Sequence, residues 1–258
     1  MSHPPALDDT ANRPPAQAAR RMRPVIAIDG PAGAGKSTLA GHLARRFGFL
    51  NLETGAMYRA LALKAIEGDV GFDDETALLA LAESTRIDLQ PQPEGNRVLL
   101  DGFDVSRRIR EADVTSAASQ VSIHPHIRAW MVDHQRALGA AGGVVMEGRD
   151  IGTAVFPDAE VKIFLDAAPE VRGNRRFRQA APGPKPAVTT PPASAEEQLA
   201  RQAILEDMRE RDRRDRSRAE SPLRAAEDAV IIDSTAMSLD EVLAQAEEIV
   251  RAHLPSAE

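Results

Sequence analysis

The chain has 258 residues, 43 % of them hydrophobic and only 3 % aromatic, so an aliphatic core in one α/β domain or two modest domains is expected. The formal net charge of −7 argues against nucleic-acid binding, which needs a broad positive field, and the absence of cysteine excludes disulfides and thiolate metal sites. No apolar run approaches the ~20 residues that span a bilayer, and we expect a cytoplasmic monomer without membrane or nucleic-acid partners.

Short apolar runs mark the strands along the chain. Residues 1–22, rich in Pro, Ala and polar side chains, predict a disordered tail. Each of the four main runs that follow ends on an acidic residue and has the continuous apolar character of a strand buried on both faces of a parallel sheet. These runs are residues 24–29, 143–147, 161–166 and 229–233, with 47–52 as a weaker fifth candidate. Helical spacing of apolar residues after the first run completes the pattern of a doubly wound α/β core.

Two stretches interrupt this alternation of strands and helices. Residues 87–105 contain two short apolar runs around turn residues and predict a small antiparallel insert. Residues 180–194 are rich in Pro and predict an exposed, mobile loop, followed by a charged helix over 195–217.

A phosphate-binding loop directly follows the first predicted strand. Residues 30–37, GPAGAGKS, match G-x-x-x-x-G-K-[ST] in full and open an amphipathic helix, which is the context that this motif requires. The glycines let successive backbone N–H groups point at phosphate oxygens, and the helix N-terminus faces the same anion. We expect Lys36 to reach the β- and γ-phosphates of ATP and the Ser37 hydroxyl to bind Mg²⁺. The predicted ATP-binding residues are Gly30, Pro31, Ala32, Gly33, Ala34, Gly35, Lys36, Ser37 and Thr38.

Three further clusters favour phosphoryl transfer between two anions. Residues 52–59 place a Thr and an Arg after the first helix, residues 147–153 follow a strand end, and residues 211–218 carry charges on one helical face. A phosphate acceptor is already ionised at neutral pH, so the chemistry needs cations for positioning and charge stabilisation rather than a general base. Each cluster alone is also compatible with ordinary solvated surface charge.

The sequence resembles the bacterial cytidylate kinase family from about residue 24 to about residue 249. The matching stretches are IDGPAGAGKST, LETGAMYRALAL, AASQV, GRDIGTAVFPDAEVKIFLDA, PEVRGNRR, RDRRDRSR and VIIDSTAMSLDEV. This resemblance implies a three-layer P-loop kinase that transfers the γ-phosphoryl group of MgATP to CMP or dCMP. It also implies three parts: a core (23–53, 119–170 and 219–258), a monophosphate-binding insert with a small antiparallel sheet (54–118) and a helical lid (171–218).

The resemblance also assigns roles by position. Lys36, Arg149, Arg211 and Arg218 are the expected catalytic cations, and Ser37 the expected magnesium ligand. The expected substrate-binding residues are Arg59, Arg149 and Arg218 for the acceptor phosphate, Ser119, Arg128 and Asp150 for cytosine, Asp215 with Arg211 for the sugar, and Thr54. A carboxylate that accepts from the cytosine amine would discriminate against uracil, which has an acceptor there. Thr54 stands where the family often has Ser, and Glu147, to which no catalytic role is assigned, where it often has Asp.

Two alternatives remain at this point. The first is another P-loop kinase, acting on UMP, AMP or a non-nucleotide such as a sugar acid, and the proposed cytosine-binding residues argue against it. The second is a nucleotide-hydrolysing switch protein. Switch GTPases usually carry an Asn-Lys-x-Asp guanine-binding motif, which this sequence lacks.

Overall fold

The protein is described by a computed structural model over residues 21–92, 95–180 and 194–254. Most of the predicted tail, 1–22, and most of the Pro-rich segment, 180–194, lie outside these described residues. Arg21 lies within them, and its guanidinium bonds to the Asp158 carboxylate at 2.8 Å.

A five-stranded parallel sheet forms the centre of the fold. Its strands, in spatial order, are β2 (Leu50–Glu53), β6 (Val144–Glu147), β1 (Val25–Asp29), β7 (Val161–Asp166) and β8 (Val230–Asp233). All neighbouring pairs are parallel, which confirms the four main predicted strands and their shared direction. Because the carboxyl ends of parallel strands lie at one edge, the acidic residues that end β1, β2 and β6 come together there.

The weaker fifth prediction, a strand over 47–52, was displaced by three residues at its start. Phe47 is the last residue of the first helix, α1 (Lys36–Phe47). Gly48 ends that helix in the left-handed conformation, φ 66°, and β2 begins only at Leu50. Glycine at this position is a common helix stop, so apolar character alone misplaced the boundary.

Helices cover both faces of the sheet, so the molecule has three layers. The helices after α1 are α2 (Thr54–Glu67), α3 (Glu75–Glu83), α4 (Ala112–Val121), α5 (Pro125–Gly139), α6 (Pro169–Ala180), α7 (Ala195–Ser217) and α8 (Leu239–His253). Alternate residues of β1 enter different cores: Ile26 and Ile28 pack with α1 and α8, while Val25 and Ala27 pack with α2, α4 and α5. This burial on both faces explains the continuous apolar runs of the strands.

The predicted antiparallel insert is present as β3 (Ile87–Gln92), β4 (Gly95–Leu100) and β5 (Phe103–Asp104). Its link to the central sheet is the buried side chain of Asn96. The Asn96 Oδ1 accepts from the Glu53 backbone N–H at 2.7 Å, and its Nδ2 donates to the Asn51 carbonyl at 2.7 Å. The insert is therefore fixed to the outer edge of β2.

Helices α6 and α7 pack against each other beside the phosphate loop. The charged helix predicted over 195–217 is α7, and it begins where the Ser194 hydroxyl accepts from the Glu197 N–H at 3.1 Å. Arg172 of α6 and Asp212 of α7 form a buried ion pair between the two helices. The packing of these helices places α6, which begins more than 130 residues after the phosphate loop in sequence, next to that loop.

Candidate active site

The phosphate loop, residues 30–37, has the backbone shape that its glycines allow. Gly30 has φ 145°, and a Cβ there would lie 2.0 Å from the Leu165 carbonyl oxygen, so no other residue fits. Gly35, φ 106°, precedes α1, and no side chain caps the first N–H groups of that helix. Unpaired N–H groups at a helix N-terminus are suited to bind an anion.

Lys36 is held in the loop, where it is only 7 % exposed. Its Nζ donates to the Pro31 carbonyl at 2.8 Å. Burial, together with the positive charge of Arg149, lowers the pKa of Lys36 to about 7, although the carboxylates of Glu147 and Asp29 act in the opposite direction. A polyphosphate beside this amine would favour its charged form.

Two arginines of α6 donate hydrogen bonds to backbone carbonyls of the phosphate loop. Arg172 is 1 % exposed, and its guanidinium donates to the carbonyls of Ala167 at 2.8 Å and of Ala32 at 3.0 Å. Arg175 donates to the Ala34 carbonyl at 3.1 Å. The Ala32 and Ala34 carbonyls of the loop are thereby paired with side chains of α6.

Carboxylates gather at the edge where β1, β2 and β6 end. Glu147 is buried, and burial followed by the negative charge of Glu53 raises its pKa. The neighbouring Ser37 hydroxyl acts to lower this pKa, and the Glu147 Oε1 has no hydrogen-bond partner in the described part of the chain. The Thr54 hydroxyl donates to the Glu147 backbone carbonyl at 2.7 Å, so this hydroxyl fixes the strand end.

An arginine cluster lies close to the phosphate loop. The Asp215 carboxylate accepts from Arg149 Nε at 2.9 Å and from an Arg218 terminal nitrogen at 3.0 Å. Burial raises the pKa of Asp215, but the positive charges of Arg149 and then Arg218 outweigh this effect. The pKa of Asp215 is therefore lowered. Arg211 is half-buried, and burial followed by the charge of Arg149 lowers its pKa to about 10. Such crowding of cations favours binding of an anion.

Arg59 is placed at the same cleft but is paired with a carboxylate. It forms an ion pair with Glu53, which also accepts from Arg110 at 3.1 Å. Burial raises the pKa of Glu53, and Arg59 with Arg110 lowers it by more. The charge of Arg59 also contributes to the lowered pKa of Arg211, which places the two guanidinium groups in one electrostatic cluster.

A second, more enclosed set of polar residues lies beside the arginine cluster. Arg128 is 3 % exposed, pairs with the Asp150 carboxylate and donates to the Ser122 carbonyl at 3.2 Å. Ser119, one helical turn before Ser122, is also buried, and its hydroxyl has no partner among the described residues. The positive charge of Arg128 lowers the pKa of Arg218 and the negative charge of Asp150 raises it, so this set lies next to the arginine cluster.

The structure thus brings Lys36 close to Arg149 and Arg211, and Arg218 close to Arg128 and Asp150. Ser37 and Thr38 are both exposed at the start of α1. The sequence analysis gave no role to Asp29, Glu53 or Glu147, although it noted that the first and third of these end predicted strands. Arg172 was also missed, because one arginine among several in α6 carries no distinguishing signal.

Within residues 21–92, 95–180 and 194–254, no three His, Cys, Asp or Glu side chains form a cluster that could hold a metal ion by themselves. No helix in these ranges is both long and apolar enough to cross a bilayer.

Comparison with known proteins gives a consistent family. Residues 26–252 match the cytidylate kinase family. A cytidylate kinase of Aeromonas salmonicida is 46 % identical over 224 residues, 87 % of this chain and 92 % of that protein. One of Geobacillus kaustophilus is 47 % identical over 236 residues, 89 % and 97 % of the two chains. A solved shikimate kinase from Acinetobacter baumannii aligns at 14 % identity and a TM-score of 0.40 over 91 % of this chain and 97 % of its own.

Proposed function

The chain belongs to the cytidylate kinase family, and from this membership we propose how the residues of its cleft divide the reaction. The reaction is transfer of the γ-phosphoryl group of ATP to CMP or dCMP, which yields CDP or dCDP and ADP. The observation that carries the assignment of residues is electrostatic. Lys36 of the phosphate loop lies within the fields of both Arg149 and Arg211, so a donor and an acceptor phosphate would meet between them.

We assign phosphoryl transfer to the phosphate loop and the arginine cluster. An oxygen of the acceptor phosphate forms a bond to the γ-phosphorus, and the bond to the β–γ bridging oxygen breaks and leaves its electron pair on ADP. The acceptor is already ionised, so no general base is needed. Lys36, Arg149, Arg211 and Arg218 neutralise charge that would otherwise keep the two anions apart. Arg59 would leave its ion pair with Glu53 to bind the acceptor phosphate. Thr54 keeps the end of β6 in place through its bond to the Glu147 carbonyl.

Base recognition is assigned to Ser119, Arg128 and Asp150. The cytosine amine is a donor and fits the Asp150 carboxylate, while the ring acceptors fit the Arg128 guanidinium. The unpartnered Ser119 hydroxyl supports this assignment, because a buried hydroxyl without a partner is unfavourable unless a ligand bonds to it. Uracil would leave the carboxylate facing an acceptor, so UMP should be a poor substrate.

Asp215 and Arg211 are assigned to the sugar and to alignment of the phosphate. Asp215 holds Arg149 and Arg218 at 2.9 and 3.0 Å, and therefore fixes the spacing of the two guanidinium groups. Its remaining acceptor capacity fits a ribose hydroxyl.

Mg²⁺ fits the residues at the foot of the phosphate loop. Magnesium is usually held by few protein oxygens together with substrate phosphates. The Ser37 hydroxyl and the unpartnered Oε1 of Glu147 are two such oxygens on adjoining side chains. When bound, the ion would withdraw negative charge from the transferred phosphoryl group. Ser37 and Glu147 would hold it, the latter directly or through water.

The chain is proposed to divide into a core (23–53, 119–170 and 219–258), a monophosphate-binding insert (54–118) and a lid (171–218). The separate sheet of β3–β5 supports the insert, and the contacts of α6 with the loop support the lid. We also propose a monomer that does not bind nucleic acid and works in the cytoplasm, where its nucleotide substrates are. The net charge of −7 supports the second point.

The test is a coupled assay of ADP release with MgATP and each of CMP, dCMP, UMP, AMP, GMP or no acceptor. Turnover that depends on CMP or dCMP is the expected result. Turnover with another acceptor alone would contradict the base-binding assignment, and slow hydrolysis independent of any acceptor would support a switch protein instead.

A further inference from the structure

Asp29, the last residue of β1, has an unusual bonding pattern for a side chain that the proposed mechanism does not use. Its carboxylate is 4 % exposed and lies one residue before the phosphate loop. Its Oδ1 accepts from the Ile151 backbone N–H at 2.8 Å, and its Oδ2 accepts from the Gly152 N–H at 2.7 Å. Both carboxylate oxygens therefore accept hydrogen bonds from the backbone of one turn, which is distant in sequence.

That turn, residues 148–152, carries Arg149 and Asp150. At its start the Gly148 N–H donates to the Ile28 carbonyl at 2.9 Å, which continues the ladder between β6 and β1. The chain then leaves the sheet and enters a single π-helical turn, Ile151–Val155. The first N–H groups of a helical turn lack partners within it, and Asp29 provides partners for two of them.

The identity of the capping group matters for recognition. An Asp that precedes a helical turn ordinarily accepts from the N–H groups that follow it. Asp150 occupies that place but makes no such bond, and its carboxylate pairs instead with Arg128. Because Asp29 caps the turn from the neighbouring strand, the Asp150 side chain is free to face the base pocket.

Burial of this carboxylate is unfavourable in itself. Desolvation raises the pKa of Asp29 to about 7, the two backbone N–H groups and the charge of Lys36 oppose the rise, and Asp150 adds to it. A neutral residue would avoid this penalty, so the carboxylate is explained better by the geometry that it maintains than by its contribution to folding.

From this geometry, and resting on the proposed function, we propose that Asp29 is a positioning residue for the acceptor. Its two hydrogen bonds fix the turn that carries Arg149 and Asp150 to the end of β1, where the phosphate loop begins. The distance between the acceptor and donor sites then depends on this side chain as well as on the ladder between β6 and β1.

The test compares Asp29→Asn with the wild-type protein. An amide retains one acceptor oxygen but presents its NH₂ group to the second backbone N–H, so the turn loses one bond and shifts. We expect kcat/KM for CMP to fall roughly 100-fold, the scale on which small displacements act in active sites. The dissociation constant of ATP, measured by calorimetry, should stay within about twofold, because the phosphate loop keeps its own contacts.

A matched control separates positioning from loss of stability. Ser238 caps α8, where its hydroxyl accepts from the Glu241 N–H at 3.3 Å, and it is not among the residues assigned to the cleft. Ser238→Ala should lower Tm through the lost cap and leave kcat/KM for CMP unchanged. Asp29→Glu is a second probe, which keeps the charge and displaces the turn by a methylene. It should fold, bind ATP and show the same selective loss.

Near-normal kcat/KM in Asp29→Asn would overturn the positioning role, as would a loss of ATP affinity as large as the loss of turnover. If Asp29→Asn does not fold, Asp29→Glu decides the question, and near-normal turnover in that variant overturns the role. Failure of the proposed function would appear differently, because the wild-type protein itself would then show no turnover dependent on CMP or dCMP.

Discussion

Replacing Asp215 by Asn should separate the acceptor side of the cleft from the ATP side. The Asp215 carboxylate makes charge-assisted hydrogen bonds to Arg149 at 2.9 Å and to Arg218 at 3.0 Å. The amide oxygen of Asn can keep only one of them, and its NH₂ group would face the other guanidinium. Loss of one such bond is worth about 1.5–3 kcal/mol, so kcat/KM for CMP should fall roughly 10- to 150-fold.

The assay is steady-state ADP release with CMP and with dCMP, together with calorimetry of ATP binding. ATP affinity should be unchanged, because Lys36 and the loop backbone do not contact Asp215. If Asp215 also accepts from the ribose 2′-hydroxyl, the loss will be larger for CMP than for dCMP, whereas a role confined to the arginines reduces both equally.

Glu210→Gln is the matched control for this experiment. Glu210 lies on the same helix, pairs with Arg213 at 2.6 Å and is solvent-accessible, so its substitution should leave the kinetics unchanged. A value of kcat/KM for Asp215→Asn within threefold of wild type would refute the reasoning, since two half-buried guanidinium groups would then hold their positions without their shared carboxylate.

Three further predictions follow from the same cleft. Arg149→Ala should lower kcat by at least about 1000-fold with ATP binding retained, as measured by single-turnover kinetics and calorimetry, and near-normal turnover would remove Arg149 from the mechanism. Ser119→Ala should raise KM for CMP without changing KM for ATP; equal effects on both would contradict a role at the base. The pKa of Asp29 is about 7 in the folded protein and 3.8 in the unfolded chain, so the folded state binds more protons between these two pH values. Its contribution to the free energy of unfolding is therefore present below about pH 4 and lost as pH rises to 7. Urea titrations of Asp29→Asn should show a weaker decline over this range than the wild-type protein, and parallel declines would contradict the shift.

Much of the fold could be predicted from local pattern because the central strands are buried on both faces. Such strands read as short continuous apolar runs, and the bounds 161–166 and 195–217 agree with β7 and α7 to the residue. The strand that was misplaced, β2, is at the sheet edge, where Leu50 is 54 % exposed and the apolar signal is weak. The glycine at 48 was the better guide to that boundary.

The site was predictable where a motif fixes the backbone, and less so where tertiary contacts choose among similar residues. The phosphate loop is local, and its residues were identified from spacing alone. Arg172 is one of several arginines in α6, and only the packing of α6 on α7 makes it the buried one that bonds to the Ala32 carbonyl. Asp29 was visible as an acidic strand end, but its partners are more than 120 residues away in sequence.

The side-chain amide of Asn96 has a consequence for the solubility of the folded chain. β2 is the terminal strand of the central sheet, and Leu50 donates inward to the Gly143 carbonyl at 2.9 Å. The outward groups then include the Asn51 carbonyl and the Glu53 N–H, and Asn96 bonds to both as a residue of an adjacent strand would. An open edge of this kind is a template for pairing with another polypeptide. One amide therefore occupies two of the backbone groups that intermolecular β-pairing at this border would need, and it does so without adding a sixth strand.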